Sequence, residues 1–394
     1  MHRTLGLIDN PEGLLRGKKD VVRFEYLHDQ SYLYKPPLEL TIICQNQSSG
    51  LHGLIMPYDQ VPDEIVGATL EGIAAQLHAP IVNFTSPLPL SPIRIPKPWG
   101  EEIWYTAMEK RGVCTMANIP IPWILDTFPK TLSGQNYAPP ILLKVLKPLA
   151  DPVKGDLYFE AHAEKKEVYV VTEVDQDAWP DGKGKIRFGF DRVKRDHYGS
   201  TKAFAAAYLK AVQDYWQVRS ALDRGERIDN ETEESLRREM ESFTSLRDLE
   251  PGDVVQVPPL TPHSLQHGVT VVEFQTPHYE RYILSFGQKV LTQDHWDTED
   301  ALSSLSFATD TPLTGNLDDI IADFDEFSVK RLRLQPGESI DLPGQSYAIV
   351  MCINGELRIA DTCIPESAAY FLPAESNKTI QSYTNSVLLL AAPN

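Results

Sequence analysis

Cysteine is scarce in this chain. There are four in 394 residues, at Cys44, Cys114, Cys352 and Cys363, and no two stand in a C-x-x-C pair. That excludes a disulfide framework and a cysteine-built zinc knot, and it fits reduced thiols in a cytoplasmic protein. Positive charge is also short. Lys and Arg number 37 against 55 Asp and Glu, for a formal net charge of -18. A protein whose main partner is nucleic acid or an anionic membrane needs a basic surface, so neither is expected. A local group of basic residues can still serve a small anion. Long apolar runs are missing: no stretch reaches the length of a membrane span, and the N-terminal MHRTLGLIDNPEGLLRGKKD holds no apolar signal core. Fixed-period repeats and low-complexity tracts are absent as well. The expectation that remains is a soluble monomer or homodimer working on a small molecule.

The chain does contain abundant β pattern. Residues 1–95 read as a mixed extension, with strand-like VVRFEYL and LELTIICQ and a helix-like DEIVGATLEGIAAQLHA at 63–79. The proline-rich SPLPLSPIRIPKPWG (86–100) reads as a boundary or an extended crossing segment. From Ile141 to Phe190 come ILLKVLKPL, DLYFEAHA, EVYVVTEV and, after a WPDGKG turn, KIRFGF. A helical insertion follows at about 199–248. Ser200 is a plausible cap for the first helix, and Asn230 with Glu233 makes a capping-box-like start for the second. Strands return at DVVQVP and VTVVEFQ. After a polar link near 295–320, short closely spaced strands fill 320–394. The chemistry-bearing domain therefore spans 96–300.

Within that domain, LYFEAHAEKKEVYVV places Glu160, His162 and Glu167 in eight positions. Residues i and i+2 of a strand share a face, so Glu160 and His162 point the same way. An AEKK turn then lets Glu167 fold back beside them. Two carboxylates converging on one imidazole repel unless a cation sits between them, and a divalent metal is the economical solution. About a hundred residues on, PGDVVQVPPLTPHSLQHG brings His263 five residues after Pro258. His267 and His278 lie near the same strands and could stand behind the first ligands.

Together the two pieces resemble the paired motifs of the cupin superfamily, with Glu160 at a position where that motif has His and Leu260 where it has Gly. The flanks are similar to type I mannose-6-phosphate isomerases. KPWGEEIW (97–104) resembles their KPWG opening, ILLKVLKP (141–148) one of their strands, and GDVVQVPPLTPHSLQHGVTVVEFQ their second motif. The resemblance runs from about 96 to 300. It implies a mainly β fold of two tandem cupin barrels (double-stranded β-helix, jelly-roll) with a helical insertion. The 320–394 region, which holds no histidine, is then a degenerate second barrel.

Carried over residue by residue, the resemblance implies one divalent metal, zinc first with Mn, Fe, Ni or Co as alternatives, on Glu160, His162, Glu167 and His263. It assigns Lys165 and Arg281 to proton transfer and charge stabilisation, with Lys165 expected at a lowered pKa beside a cation. Lys144 matches a family lysine. Tyr158 stands where the family has a serine near the phosphate, and Leu284 where it has an aspartate. Lys289 could contact an anion. Trp99 and Trp104 could line the sugar pocket or be core aromatics at a strand end. The activity implied is aldose–ketose isomerisation of mannose 6-phosphate to fructose 6-phosphate through a cis-enediol. The departures at Tyr158, Glu160 and Leu284 leave two further readings open: a cupin isomerase or epimerase of a different or unphosphorylated sugar, and a non-catalytic carbohydrate-binding cupin.

Overall fold

A computed structural model of the chain describes residues 3–7, 11–15, 19–62, 64–134, 139–307, 319–342, 346–376 and 378–394. Of the polar link read at 295–320, residues 308–318 lie outside the described residues. The chain is mainly β and forms two compact units. One is Arg94–Ile103 with Leu143–Leu317; the other is Met1–Ile93, Trp104–Leu142 and Asp318–Asn394.

The first unit is a barrel of two facing sheets. Its strands are β1 (Ile93–Lys97), β2 (Gly100–Trp104), β3 (Leu142–Pro148), β4 (Phe159–Ala161), β5 (Glu167–Val174), β6 (Gly184–Phe190), β7 (Thr244–Leu249), β8 (Val254–Val257), β9 (His263–Leu265), β10 (Val269–Gln275) and β11 (Tyr282–Ser285). One sheet runs in the order β8-β5-β10-β3-β2-β1, the other β7-β6-β9-β4-β11. Period-two alternation sorts their side chains. Tyr169, Val171, Phe188, Leu265, Val271 and Ile283 fill the interior between the sheets. Phe159, Ala161, Phe190 and Leu284 face the other way, onto the helical insertion. Helix α1 (Thr201–Asp223) meets them with Phe204, Tyr208, Val212 and Tyr215, one stripe at helical spacing. Ser200 caps α1, accepting from the Ala203 N–H.

Three boundaries differ from the sequence reading. Helix α2 (Asn230–Glu241) is capped by Asp229, whose carboxylate accepts from the N–H groups of Glu231 and Thr232, so Asn230 lies inside the helix. The insertion ends before 248, because Thr244–Leu249 pairs as a strand with Gly184–Phe190. The helix read at 63–79 is confined to Leu70–Leu77 behind a Thr69 cap.

The second unit contains a five-stranded sheet, Arg3–Leu7, Val22–His28, Leu38–Gln47, Gly50–Pro57 and Val82–Asn83, with helix Leu70–Leu77 packed on Ile43 and Leu54. Only the first pair of strands is parallel. It also contains an eight-stranded and a four-stranded sheet, which enclose Val350, Leu357, Ile359, Leu372, Ile380 and Leu388. Part of the proline-rich stretch, Leu88–Ser91, is a strand of that eight-stranded sheet, with Pro89 opposite Tyr370. Residues 104–142, read as part of the 96–300 domain, group with this second unit.

Candidate metal centre

Strands β4 and β9 run antiparallel with Glu160 directly opposite His263. Both are on the inward set, and His162 follows Glu160 on the same face. The turn 163–166 is fixed by Glu280, whose Oε1 accepts from the backbone N–H groups of Glu164 and Lys165, each at 2.9 Å. The chain then re-enters the barrel with Glu167 as the first residue of β5. The second motif is tied to the first through the backbone of Leu260, whose N–H donates to the His162 carbonyl at 2.6 Å. Leu260 holds φ 60° to make that bond, a left-handed conformation that costs a non-glycine residue of the order of 1 kcal/mol.

One atom each from Glu160, His162 and His263 lies within 4.8 Å of the others, a group that could hold a metal ion. Glu167 joins them: its Oε1 is 2.8 Å from His263 Nε2 and 3.5 Å from His162 Nε2. His162 Nδ1 donates to the Glu280 carbonyl at 2.8 Å and His263 Nδ1 to the Thr261 carbonyl at 3.0 Å. Both rings are therefore held with Nε2 turned toward the carboxylates, and a hydrogen bond on Nδ1 is what orients an imidazole for a metal. Both Nε2 atoms are buried with no hydrogen-bond partner, while Glu167 Oε2 meets the Lys165 ammonium at 2.6 Å and Glu160 Oε2 faces Arg281 at 3.7 Å. A lone pair 2.8 Å from a carboxylate oxygen is a repulsive contact until a cation lies between them, so this donor set fits a divalent metal.

The charges agree. Burial, reinforced by Lys165, pushes His162 down to about 4, which leaves it a neutral donor. Burial works against ionisation of Glu160, but Arg281 and His162 outweigh it and hold the carboxyl below its ordinary value. Burial opposes Glu167 as well, and Lys165 with the two imidazoles overcomes it, to well below the ordinary value.

Behind the cluster lies a row of buried charge. Lys165 Nζ is 2.6 Å from Glu167 Oε2 and 3.8 Å from Glu273 Oε1, while Lys144 Nζ is 3.0 Å from Glu273 Oε2. Burial draws the Lys165 ammonium down, but Glu167, Glu273 and Glu160 more than offset it and keep the group above its ordinary value. The lowering expected for Lys165 is that of a group beside a cation; the three carboxylates around it act in the opposite direction. Glu273 is pushed up to about 8 by burial and by Glu167, against the pull of Lys144. The Tyr169 hydroxyl donates to Glu167 Oε1 at 3.2 Å.

Arg281 stands at the edge of the cluster. Its Nη1 is 3.7 Å from Glu160 Oε2, its guanidinium lies 4.8 Å over the Tyr158 ring, and its Nη2 donates to the Thr292 hydroxyl at 3.2 Å. Tyr158 is buried against Phe286. Trp99 belongs to the same apolar interior at 1% exposure, the placement of a core aromatic. Lys289 lines an open cleft of about 840 Å³ with Trp216, Arg224 and Asp294, and no residue of the cluster shares that lining. Leu284 faces the insertion, so the family's aspartate position lies outside the barrel interior here. His267 bonds Asp156 at 2.7 Å and stacks on Trp179, and His278 bonds Thr276.

Glu273, Glu280 and Tyr169 were missed in the sequence. A signal existed for Glu273: it interrupts the inward row Val269, Val271, Glu273, Gln275, all buried, and an acid in such a row needs a partner. Glu280 had none, since it acts through a backbone carbonyl and a turn.

No protein-family model matches the chain, and no curated protein matches it. Solved structures do. The mannose 6-phosphate isomerase of Bacillus subtilis is similar at 17% identity, TM-score 0.55, over 78% of this chain and 99% of that one. A zinc-bound mannose 6-phosphate isomerase is similar at 12% identity and TM-score 0.58, over 78% and 100%. An alanine variant of phosphomannose isomerase from Salmonella typhimurium is similar at 12% identity and TM-score 0.57, over the same shares. With this barrel and these neighbours, the chain has the cupin-type fold of the solved mannose-6-phosphate isomerases.

Proposed function

We propose that the protein is a metal-dependent aldose–ketose isomerase acting on a mannose–fructose pair, the reaction mannose 6-phosphate to fructose 6-phosphate being the one its structural neighbours are named for. The observation that carries this reading is the pair of buried imidazole nitrogens without a hydrogen-bond donor or acceptor of their own, Nε2 of His162 and His263, turned toward the Glu160 and Glu167 carboxylates. Those four residues would hold one divalent metal, zinc first. Such an ion polarises a carbonyl and acidifies the neighbouring C–H.

The isomerisation moves one hydrogen from C2 to C1 and one from the C2 oxygen to the C1 oxygen, with no net gain or loss of atoms or electrons. Lys165, buried 2.6 Å from Glu167, adds positive charge behind the ligand cluster as a substrate oxygen becomes anionic in the enediol stage. Arg281 adds positive charge from the opposite edge of the cluster. Tyr169 and Glu280 hold Glu167, His162 and the 163–166 turn in place.

The test is direct. Zinc-loaded protein is incubated in D2O with mannose and fructose, each with and without a 6-phosphate, and aldose–ketose conversion with deuterium uptake at C1 or C2 is read by NMR. Conversion that stops on chelation is expected. Fully metal-loaded, folded protein that converts none of the four sugars would rule the reading out.

A further inference from the structure

We infer that Glu160 is a positioning carboxylate that keeps Arg281 neutralised, and that the site therefore selects a sugar with no phosphate group. This rests on the isomerase reading and narrows its substrate class. The two oxygens of Glu160 face different ways. Oε1 is 3.8 Å from His162 Nε2, on the metal side, and Oε2 is 3.7 Å from Arg281 Nη1. A single side chain can thus serve the cluster with one oxygen and hold the guanidinium with the other. Arg281 is engaged on two further sides, by the Tyr158 ring at 4.8 Å and by Thr292 at 3.2 Å.

The other basic groups at the site are closed to an incoming anion. Lys144 and Lys165 are each less than a tenth exposed and sit 3.0 and 2.6 Å from their own carboxylates. A sugar phosphate would have to draw Arg281 off Glu160 and set a dianion beside that carboxylate. Both costs are electrostatic, and like charges brought together in a poorly hydrated site repel strongly. A hydroxymethyl end incurs neither. A divalent ion held by these residues would have its two charges balanced by Glu160 and Glu167, leaving no surplus to attract an anion.

The exchange Glu160→Gln keeps an oxygen donor for the metal and removes the charge that occupies Arg281. Zinc content, kcat and KM for mannose and mannose 6-phosphate, and the Kd of mannose 6-phosphate by calorimetry are measured in the wild type and in E160Q. The wild type is expected to favour mannose. In zinc-loaded E160Q the preference moves toward the phosphate by about tenfold or more, through KM, with Kd tightening by a similar factor. A wild type that favours mannose 6-phosphate overturns the inference, as does zinc-loaded E160Q with ratio and Kd unmoved. If E160Q does not retain zinc, Glu160→Asp keeps the carboxylate but falls one methylene short of Arg281. The same direction of shift is then expected, and no shift overturns the inference. If no sugar is converted by any loaded protein, the isomerase reading falls, while the Kd comparison still decides whether Glu160 restrains Arg281.

Discussion

On β10 of the barrel the inward row reads Val269, Val271, Glu273, Gln275. On the strand Ala348–Asn354 of the other unit the enclosed row reads Ala348, Val350, Cys352. Both rows lie between two β-sheets, and both are shielded from water. The second is sealed by dispersion and apolar burial alone. The first carries Glu273, which requires Lys144 opposite it and Lys165 nearby, and these in turn lead to Glu167 and the imidazoles. Burying charge is costly even when it is paired. The comparison therefore separates positions kept for packing from positions whose retention calls for a chemical reason.

The sharpest way to break that comparison is to convert one row into the other. Lys144→Met removes the ammonium 3.0 Å from Glu273, a carboxyl that burial and Glu167 already push up to about 8, so Glu273 keeps its proton and the cost is expected at about 1–3 kcal/mol. The double change Lys144→Met with Glu273→Leu should return to wild-type stability or exceed it by about 1–4 kcal/mol while abolishing turnover. Urea denaturation of both variants decides this. A double variant as weak as the single one would mean that the charged row is part of the scaffold. In the other unit, Leu388→Ala empties a fully buried site and should cost about 2–5 kcal/mol, with zinc content per chain unchanged.

A smaller effect sharpens the comparison within the barrel itself. Burial works against the Asp156 carboxylate, but bonds from the His267 ring and backbone N–H hold its pKa below the ordinary value. A carboxyl depressed in the folded state stabilises above its unfolded pKa and loses that contribution as pH falls through its folded one. Asp156→Asn should therefore cost about 1–3 kcal/mol at neutral pH, and the difference from wild type should shrink below about pH 4. A difference that stays constant from pH 7 to pH 3 would assign the cost to packing.

The approach of Glu160, His162 and Glu167 was legible because strand period and turn length are local properties, while His263 was joined to them only by the resemblance to paired cupin motifs. The helix 201–223 was legible for the same reason, as its stripe and its Ser200 cap lie within one element. What escaped was set by pairing across distance. Nothing near Glu273 in sequence discloses Lys144 on another strand, and nothing near Leu284 shows that an insertion eighty residues earlier would cover it. Trp99 read equally well as pocket or core, because a buried indole and a ligand-facing one share the same neighbours in sequence. The cap of α2 slipped by one position because Asp229 and Asn230 are both good caps, and only backbone geometry chooses between them. Leu260 shows a different limit: an α-left backbone angle is expected at glycine, and here a hydrogen bond to His162 holds it at leucine.

The pairing of Pro89 with Tyr370 and Leu88 with Phe371 sets an order for synthesis. Strand Leu88–Ser91 emerges from the ribosome long before its partner exists, and the strands Ala348–Asn354 and Ser386–Pro393 that extend the same sheet come later still. The stretch Leu143–Leu317, by contrast, supplies most of the barrel as one continuous run. The barrel can therefore be nearly assembled while the early residues of the other unit are still waiting, with unpaired strand edges available to chaperones or to misassembly. Loop closure over so long a separation is slow, so the second unit is expected to close after the barrel.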